Sequence, residues 1–340
     1  MTAQRRRMFI GADVHRRETQ LYFLPDDGSR GRELRVPTRE KAIQRALKNV
    51  AGPVVLEAVG FYRPIAAWLA KGGREVHLAN PRLIPKPKVK TDKKDAKHLA
   101  KLLKADILPE SWIAPEEIEK LRDLVRHRRF LGEECGRLKT KIKADLLKHG
   151  HFYETNPADT KKGREIARKH NIPEVTSSLR LLEHIEEETT IADRNIRQEA
   201  DKRDDVKLLM TIPGVGAQTA LGIYAEVGDF SRFPTPEKLA SYAGLAIQQE
   251  QSGDRDRRGR ITKEGNTLLL TLLVEAAHNH IMHCEDSQIV QKFKRKKERD
   301  DNTKRAYIAA ARALLHAMHA MIRTKTEFQV NPKPRRNTAA

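Results

Sequence analysis

Short apolar runs alternate with amphipathic stretches along the first hundred residues of the chain. Alternating or continuous apolar runs bounded by turn residues predict strands, and apolar positions spaced three or four residues apart predict helices. By this criterion the sequence predicts strands at 7–14, 19–24, 33–36, 53–57 and 75–79, and helices at 38–50, 64–71 and 92–104. Strands that first follow one another and then alternate with helices indicate a layered α/β domain with a mixed sheet. This order suits a ribonuclease-H-like fold.

Two threonines stand at the predicted starts of helices. Thr38 precedes the first helix and Thr91 the third. A threonine hydroxyl at this position commonly accepts a hydrogen bond from a free amide of the first turn, so we expect both residues to be N-caps. Prolines and lysines interleave over residues 81–91 and predict a loop before the third helix.

Highly charged helical patterns dominate the middle of the chain. Apolar residues recur every three or four positions at 115–149 and again at 175–209, with a polar stretch near 154–173 between them. This spacing predicts a helical hairpin or coiled coil, joined by a polar loop. Such a connector can serve as an interaction or dimerisation stalk, and its Arg and Lys faces are candidates for nucleic-acid contact.

A second compact domain, mainly α-helical, is predicted to begin near Leu208. Its helices include 217–227 and 303–323, whereas the tail 331–340 lacks periodicity and is expected to be disordered. The predicted division is therefore an α/β domain at 1–110, a helical connector at 111–207, a second domain at 208–330 and a tail at 331–340.

The charge balance adds information about partners. The 340 residues carry a formal net charge of +20, with a pI near 9.9, which indicates a polyanionic partner, either nucleic acid or an anionic membrane. No apolar run approaches the roughly 20 residues that span a bilayer, and the N-terminal arginines lead into a strand pattern rather than a cleavable signal. Nucleic acid is therefore favoured. The only cysteines, Cys135 and Cys284, lack paired spacing, which excludes a zinc knuckle or disulfide framework and fits a reducing cytoplasm.

Four carboxylates are candidate catalytic and metal-ligating groups. Asp13 and Glu57 close apolar runs at predicted strand ends, and Asp92 and Asp95 lie three residues apart on one face of a predicted helix. Crowded carboxylates repel unless a cation neutralises them. Mg²⁺ binds both carboxylate and phosphate oxygens, so we expect two Mg²⁺ ions and phosphodiester chemistry. Alternatively, Asp92 and Asp95 pair with neighbouring lysines on a solvated helix.

A serine beside a dense basic loop is a second candidate. The cations that follow Ser252 are Arg255, Arg257, Arg258, Arg260 and Lys263. A serine hydroxyl is a poor nucleophile unless a base, metal or cation field assists it, and these arginines could hold an attacked phosphate. From the chemistry alone a turn residue is the favoured interpretation of Ser252, and Ser231 and Ser241 are equally plausible as nucleophiles.

The stretch Ile212–Gly216 resembles the hairpin of a helix-hairpin-helix element. Gly214 and Gly216 would let backbone N–H groups approach a phosphate, with the N-terminus of the following helix directed towards it. These two glycines are therefore candidate nucleic-acid-binding residues. A simple glycine turn between two helices is the alternative.

Seven motifs stand in an order typical of one protein family. They are Gly11–Val14, Leu56–Gly60, Thr91–Ala96, Ile212–Gly216, Tyr242–Leu245, Ser252–Gly253 and Thr262–Asn266. Together they resemble the DEDD transposases of bacterial insertion sequences, the bridge-RNA-guided serine recombinases. The resemblance spans about residues 8–280.

The resemblance implies a fold, partners and roles for particular residues. It implies a RuvC-like N-terminal domain, an α-helical coiled-coil connector and a C-terminal transposase domain whose nucleophilic serine matches Ser252. The family's DEDD set matches Asp13, Glu57, Asp92 and Asp95. It also implies a tetramer in which one subunit supplies the acids of a site and another the serine. A structured noncoding bridge RNA would pair with target and donor DNA, and strand exchange would proceed through a covalent serine–DNA link and a Holliday junction.

Three positions depart from the family's pattern. Ile247 stands where a proline usually follows the Gly-Leu pair, Leu270 stands where an arginine usually follows Gly-Asn, and His15 replaces a commoner serine. The missing arginine leaves open which cation grips the phosphate. The residues alone also leave open a hydrolytic RuvC-like junction nuclease, in which water attacks, and a non-catalytic RNA-binding module.

Overall fold

The structure is a computed structural model that describes residues 7–84, 92–252, 255–261 and 265–331. Within these ranges only the backbone is described for 92–93, 247–252 and 255–261. The chain divides into two compact units, and the boundary between them falls between Ala114 and Pro115.

The first unit is a six-stranded mixed sheet with three helices. Its strands are β1 (Met8–Val14), β2 (Glu18–Pro25), β3 (Arg32–Pro37), β4 (Val54–Glu57), β5 (Val76–Ala79) and β6 (Glu110–Ser111). Its helices are α1 (Glu40–Leu47), α2 (Tyr62–Ala70) and α3 (Asp92–Lys104). The strand order is β3-β2-β1-β4-β5-β6, with β1, β4 and β5 parallel and the other neighbours antiparallel. The α/β prediction is confirmed, and the short strand β6 is an addition to it.

The two faces of this sheet carry different helices because side chains alternate along each strand. Ile10 and Leu56 lie in one core cluster with buried residues of α1 and α2. Val55, on the opposite face of β4, packs in a second cluster with Leu99 and Leu103 of α3. The sheet is therefore covered by α1 and α2 on one face and by α3 on the other.

Gly11 in β1 allows α3 to lie directly on the sheet. A Cβ built at Gly11 would stand 1.9 Å from the carbonyl oxygen of Ala96 and 2.9 Å from the amide nitrogen of Ala100. Contacts below 3 Å of this kind are not tolerated between a side chain and backbone. Glycine is therefore required for the backbones of β1 and α3 to meet at this point.

The prediction that Thr38 caps the first helix is wrong. Helix α1 begins at Glu40 after Arg39, without a side-chain cap. The Thr38 hydroxyl instead donates to the carbonyl oxygen of His15 at 2.8 Å and lies 2.8 Å from the Thr19 hydroxyl. These partners across the sheet hold Thr38 beside the turn that follows β1. Thr91, the other predicted cap, lies outside the described residues.

The second unit is mainly helical, with one two-stranded sheet. Its helices are α4 (Glu116–Lys148), α5 (Lys161–Lys169), α6 (Pro173–Asp201), α7 (Asp204–Met210), α8 (Ala217–Val227), α9 (Pro236–Tyr242), α10 (Thr267–His283), α11 (Gln288–Asp300) and α12 (Thr303–Thr324). Short 3₁₀ turns occupy Pro157–Asp159 and Phe230–Arg232, and the strands are β7 (Ile247–Ser252) and β8 (Arg255–Ile261). Predicted helices 217–227 and 303–323 match α8 and α12 closely. Apart from Asn331, the tail 331–340 lies outside the described residues.

Helices α4 and α6 pack on one another in antiparallel directions. Near the end of α4, Ile142 and Leu146 share a core cluster with Leu179, from the beginning of α6. Earlier in α4, Arg128 makes a two-pronged ion pair with Asp193 of α6, at 2.7 and 3.1 Å. Early residues of one helix thus meet late residues of the other, while the assignment as a coiled-coil connector stays a prediction.

The polar stretch near 154–173, predicted as a loop, contains helix α5. Thr160 caps this helix by accepting a hydrogen bond from the Gly163 amide at 3.0 Å. Arg164 is buried and pairs with both carboxylate oxygens of Glu186, at 2.6 and 2.7 Å. Since α5 buries only Arg164 and Ala167, its sequence lacks the apolar stripe that normally signals a helix.

The structure leaves the division of the second unit open. The unit holds both the proposed connector and the proposed transposase domain, so the boundaries at 111, 207 and 330 stay predictions. Among the described helices, none is long and apolar enough to cross a membrane.

A buried histidine joins three segments of the second unit. His280 of α10 is fully buried; its Nδ1 lies 2.9 Å from the Pro213 carbonyl oxygen and its Nε2 lies 2.8 Å from the Ser287 hydroxyl. Because a carbonyl oxygen only accepts, Nδ1 carries the proton, and Nε2 accepts from Ser287. The Ser287 oxygen in turn accepts from the Val290 amide and caps α11. Burial lowers the pKa of His280 below its usual range.

Replacing Gly11 by alanine should destabilise the first unit, because the new methyl group would overlap the Ala96 carbonyl unless α3 moves away. We expect the free energy of unfolding to fall by about 1–3 kcal/mol, as measured by urea denaturation. Gly60→Ala is the matched control, since nothing lies within 4 Å of a Cβ built at Gly60. Equal stability of the two variants would contradict the close contact between β1 and α3.

Acidification should destabilise the second unit through His280. An unfolded histidine, with a pKa near 6.5, takes up a proton more readily than the buried one, so stability present above about pH 6.5 is lost as pH falls towards the folded-state pKa. The slope contributed by one such group reaches at most about 1.4 kcal/mol per pH unit. His316, whose pKa burial also lowers, adds to the same slope.

Urea denaturation between pH 7.5 and pH 5 measures this effect, and His280→Gln should flatten part of the dependence. His184→Gln is the control, because 69% of that side chain is exposed. An unchanged pH slope in His280→Gln would show that the buried imidazole does not resist protonation.

Candidate active site

Asp13 and Glu57 lie near the carboxyl ends of two neighbouring parallel strands. In the pairing of β1 with β4, Gly11 stands opposite Val55 and Ala12 opposite Leu56, so each acid directly follows the last paired residue of its strand. Val55 faces α3, and residues two apart on a strand share a face. Asp13 and Glu57 are therefore on the α3 side of the sheet.

The beginning of α3 approaches the same part of the sheet. Asp95 is half-buried and immediately precedes Ala96, whose carbonyl oxygen meets Gly11 two residues before Asp13. Asp92 begins the helix one turn earlier, although its side chain lies outside the described residues. The fold thus brings Asp13, Glu57 and the first turns of α3 to one corner of the first unit.

The donors at this corner fit Mg²⁺ in chemical type, since carboxylate oxygens are the ligands this ion prefers. Among the side chains that the structure describes, no three Asp, Glu, His or Cys residues stand close enough together to hold a metal ion. Asp92, the remaining acid of the expected set, is not among those side chains. The shared face of the sheet is therefore the observation that supports the metal assignment.

His15 contacts Asp13 directly and was not expected to do so. Its Nε2 lies 3.1 Å from Asp13 Oδ2, while 55% of the histidine side chain is exposed. The turn that places it is held by Thr38, which donates to the His15 carbonyl oxygen. The sequence signal was the departure from the family's pattern at position 15, which gives Asp13 an imidazole neighbour.

Ser252 lies at the tip of a β-hairpin in the second unit. β7 ends at Ser252 and β8 begins at Arg255, and these residues are the last pair of the antiparallel register. The prediction of a basic loop over 255–261 is wrong, because these residues form β8. Its five charged residues among seven leave no apolar alternation to mark a strand. Gly253 lies outside the described residues, as does the Ser252 side chain.

The candidate phosphate-binding cations follow Ser252 along β8. In the register Arg257 stands opposite Glu250 and Arg258 opposite Gln249. The side chains of all four arginines, Arg255, Arg257, Arg258 and Arg260, lie beyond the described part of the chain, and so does Lys263 entirely. Their nucleic-acid contacts stay predictions, and which of them holds a phosphate is open.

The two other candidate serines have different surroundings. The Ser231 hydroxyl donates to Asp229 Oδ2 at 2.8 Å, within the 3₁₀ turn that Asp229 caps. Ser241 is exposed within α9. Neither is at a hairpin tip beside a basic strand, and in this both differ from Ser252.

The glycines of the Ile212–Gly216 stretch differ from each other. Gly214 has φ +83°, and a Cβ there would stand 2.6 Å from the Asn279 carbonyl carbon in α10, so packing and backbone conformation both require it. Gly216 precedes α8, and nothing lies within 4 Å of its Cβ position. Gly216, just before α8, thus has space for a side chain, whereas Gly214 packs directly against the backbone of α10.

One buried charged residue, Glu226, contacts the Thr262–Asn266 motif and was not predicted from the sequence. Glu226 of α8 has no exposed surface and accepts two hydrogen bonds from Arg126 of α4, at 2.9 and 3.0 Å. Asn266, from the Thr262–Asn266 motif, donates to the same carboxylate at 2.6 Å. The available signal was a single carboxylate in the otherwise uncharged helix Ala217–Val227.

Comparisons with known proteins cover both units. A family profile described as a transposase of the IS110 DEDD type matches residues 10–151, and one described as "Transposase IS116/IS110/IS902 family" matches 206–295. The first match covers Asp13, Glu57 and both acids of α3; the second covers the hairpin and Ser252.

Curated relatives extend over most of the chain. A putative transposase, y4qE, from Sinorhizobium fredii is 32% identical over 294 residues, covering 81% of this chain and 72% of the relative. The transposase for insertion sequence element IS1111A of Coxiella burnetii is 26% identical, covering 82% and 79%. A pilin gene-inverting protein of Moraxella bovis is 29% identical, covering 81% of each. On this evidence the chain belongs to the IS116/IS110/IS902 family of transposases.

Proposed function

We propose that this transposase cuts and rejoins DNA through a covalent bond between Ser252 and a DNA phosphate, as part of moving an insertion sequence. The observation that carries the proposal is the placement of Asp13 and Glu57, each directly after the last paired residues of β1 and β4, on the face of the sheet that α3 covers. Carboxylates at one corner of a basic chain suit a phosphodiester substrate held through Mg²⁺. The strand order β3-β2-β1-β4-β5 supports the RuvC-like assignment of this unit.

The acids have the task of holding the metal. Asp13, Glu57, Asp92 and Asp95 would be the Mg²⁺ ligands. When bound, Mg²⁺ neutralises charge on the phosphate oxygens, which lowers the barrier to attack. His15, in contact with Asp13, orients one of these carboxylates. The close contact at Gly11 keeps α3 and its two aspartates at a fixed distance from β1.

Ser252 has the task of the nucleophile. Its Oγ forms an ester bond to the phosphorus, its proton passes to a base or solvent, and the bond from phosphorus to the departing deoxyribose oxygen breaks. That oxygen takes a proton and becomes a free hydroxyl. The hydroxyl of another strand then attacks the serine ester, which restores Ser252 and joins the strands. The arginines of β8 are the proposed cations that stabilise the charge developing in both steps.

Guidance and assembly follow the family resemblance. A structured noncoding RNA would select target and donor DNA by base pairing, so the protein would bind backbones and need no base-specific contacts of its own. The net charge of +20 suits two such polyanions. A tetramer would allow the acids of one subunit and Ser252 of another to act on one phosphate. The relative named as a pilin gene-inverting protein supports recombination as the outcome.

Substitution of the proposed nucleophile is the central test. Ser252→Ala should abolish covalent protein–DNA adducts on nicked or suicide substrates, because no other group supplies the ester oxygen, while binding to the RNA survives. Adducts are measured by their altered mobility in denaturing gels after RNA and free protein are removed. Ser241→Ala is the matched control, since Ser241 is an exposed serine of α9 in the same unit, and it should form adducts at the wild-type rate.

Two outcomes would contradict the nucleophile assignment. Adducts formed by Ser252→Ala would show that another residue attacks the phosphate. Wild-type protein that yields only free ends bearing 3′-hydroxyl and 5′-phosphate groups would indicate water as the nucleophile. The second result would favour a hydrolytic RuvC-like junction nuclease, in which Ser252 is structural.

Salt dependence tests the interpretation of the charge. If lysines and arginines neutralise phosphates, the logarithm of the affinity for duplex DNA should fall with the logarithm of the salt concentration by roughly 0.9 per phosphate contacted. Filter binding or fluorescence anisotropy between low and physiological salt measures this slope. A nearly flat dependence would remove the basis for treating the +20 charge as a polyanion-binding surface.

A further inference from the structure

The buried carboxylate of Glu226 joins three parts of the second unit. Arg126 of α4 donates to both of its oxygens, and Asn266 Nδ2 donates to Oε2 at 2.6 Å. Arg122, one turn before Arg126, donates to the backbone carbonyl oxygens of Ala225 and Glu226, at 2.9 and 3.1 Å. The end of α8 is therefore held on α4 through both its side chain and its backbone.

Asn266 connects this carboxylate to two neighbouring segments. Its Oδ1 accepts from the Leu269 amide at 3.1 Å and caps α10. Its own backbone amide donates to the Tyr242 carbonyl oxygen at 3.0 Å, and the Tyr242 hydroxyl donates to the Glu226 carbonyl oxygen at 3.1 Å. Every polar group of the Asn266 side chain and backbone amide is thus used to tie α8, α9 and α10 together.

Gly265, in the Thr262–Asn266 motif, makes direct backbone contact with the Tyr242–Leu245 motif. A Cβ built there would stand 2.2 Å from the Gly244 amide nitrogen and 2.6 Å from the Tyr242 carbonyl oxygen. Gly244 itself has φ +72°, a conformation that glycine adopts without strain. The Tyr242–Leu245 motif and the end of the Thr262–Asn266 motif therefore form one structural unit.

This contact lies at the base of the hairpin that carries Ser252. Leu245, which is fully buried, leads through Ala246 into β7, and β8 ends at Ile261, four residues before Gly265. Ile247 and Ile261 are paired in the hairpin register. The residues that precede and follow the hairpin in the described chain, Gly244–Leu245 and Gly265–Asn266, thus meet one another.

An ion pair between the fully buried Glu226 carboxylate and the half-exposed Arg126 is better suited to fixing geometry than to adding stability. Removing a carboxylate from water costs several kcal/mol, which the pairing offsets only if its geometry is good. Fully satisfied buried polar networks do, however, restrict the arrangement of the segments they join. At Glu226 the segments joined are α4, α8, the end of α9 and the residue that caps α10, and the last two flank the β7–β8 hairpin in the chain.

We infer that Arg126, Glu226 and Asn266 form a clamp that sets the position of the β7–β8 hairpin, and hence of Ser252 at its tip. They are positioning residues and do not touch the reacting atoms. The inference rests on the proposed function only in making Ser252 the nucleophile. The mechanical part, that the clamp fixes the hairpin, is independent of the chemistry.

Two variants alter the hydrogen bonds of the clamp but keep the cap of α10 and the packing of the core. Asn266→Ser keeps a hydroxyl that can cap α10 but cannot reach Glu226. Glu226→Gln keeps the shape of the side chain and removes its charge. Asp193→Asn is the matched control, because Asp193 also makes a two-pronged pair with an arginine of α4, namely Arg128, at a place away from the hairpin. Thermal unfolding of the full-length protein verifies that each variant folds.

Hydrogen exchange of the free protein tests the mechanical part. Loss of a charge-assisted hydrogen bond should speed exchange of the amides of 247–261 about 10- to 100-fold in Asn266→Ser and in Glu226→Gln. The amides of α5, far along the chain from the clamp, should exchange at the wild-type rate, and Asp193→Asn should leave the hairpin unchanged. Unaltered hairpin exchange in both folded clamp variants would overturn the inference.

Gly265→Ala provides a second approach that leaves all charges in place. The new methyl group must displace the Gly244 backbone, so the hairpin amides should again exchange faster. Gly136→Ala, at a glycine of α4 with nothing within 4 Å of its Cβ position, is the control. Hairpin exchange equal in these two variants would contradict the role of the Gly244–Gly265 contact.

The rate of adduct formation tests the link to Ser252. In Asn266→Ser the maximal rate should fall about 10- to 100-fold, as expected for a misplaced nucleophile, while the DNA concentration at half-maximal rate stays the same. An unchanged maximal rate, with adducts abolished by Ser252→Ala, would overturn the positioning role. If adducts persist in Ser252→Ala but the clamp variants loosen the hairpin, the proposed nucleophile is wrong and the clamp remains.

Discussion

The direct contact between the backbones of β1 and α3 is the constraint on which the acidic corner depends. Gly11 lets the carbonyl oxygen of Ala96 lie where any other residue would place its Cβ. A larger residue would move α3 outward and take Asp95 away from Asp13 and Glu57. The strands alone bring only two acids together. The lack of a side chain at Gly11 therefore determines whether the aspartates of α3 can approach these two acids.

The second unit places its candidate nucleophile by different means. A two-stranded hairpin has few apolar side chains to bury, so a close glycine contact alone is a weak means of holding it. The unit adds charge and hydrogen bonds to the Gly244–Gly265 contact at the base: the carboxylate of the fully buried Glu226 accepts from Arg126 and Asn266, and its backbone carbonyl oxygen accepts from the Tyr242 hydroxyl. The proposed chemistry thus depends on a close glycine contact in the first unit and, in the second, on such a contact together with a polar network.

The sequence predicted those features that follow from local pattern. Asp13 and Glu57 end apolar strands, so their meeting at one sheet edge could be expected once the strands were assigned. Helix α5 and strand β8 could not be found in this way, because α5 buries only two residues and β8 consists mostly of charges. The contacts of Glu226 include Arg126, 100 positions earlier in the chain, and no local pattern indicates such a partner. Thr38 is a residue type that commonly caps helices, but its hydroxyl bonds to His15 and Thr19 instead.

The length of helix α4 has a mechanical consequence. With 33 residues the helix is a rod about 50 Å long. Near its beginning it holds Glu226, and further along it is bound to α6 through Arg128 and then through the apolar cluster around Ile142. Such a rod acts as a lever, since a tilt of about 5° about Arg126 moves the far end, about 33 Å away, by about 3 Å. A macromolecule bound where the end of α4 meets the beginning of α6 would therefore transmit a movement along α4 to the base of the β7–β8 hairpin.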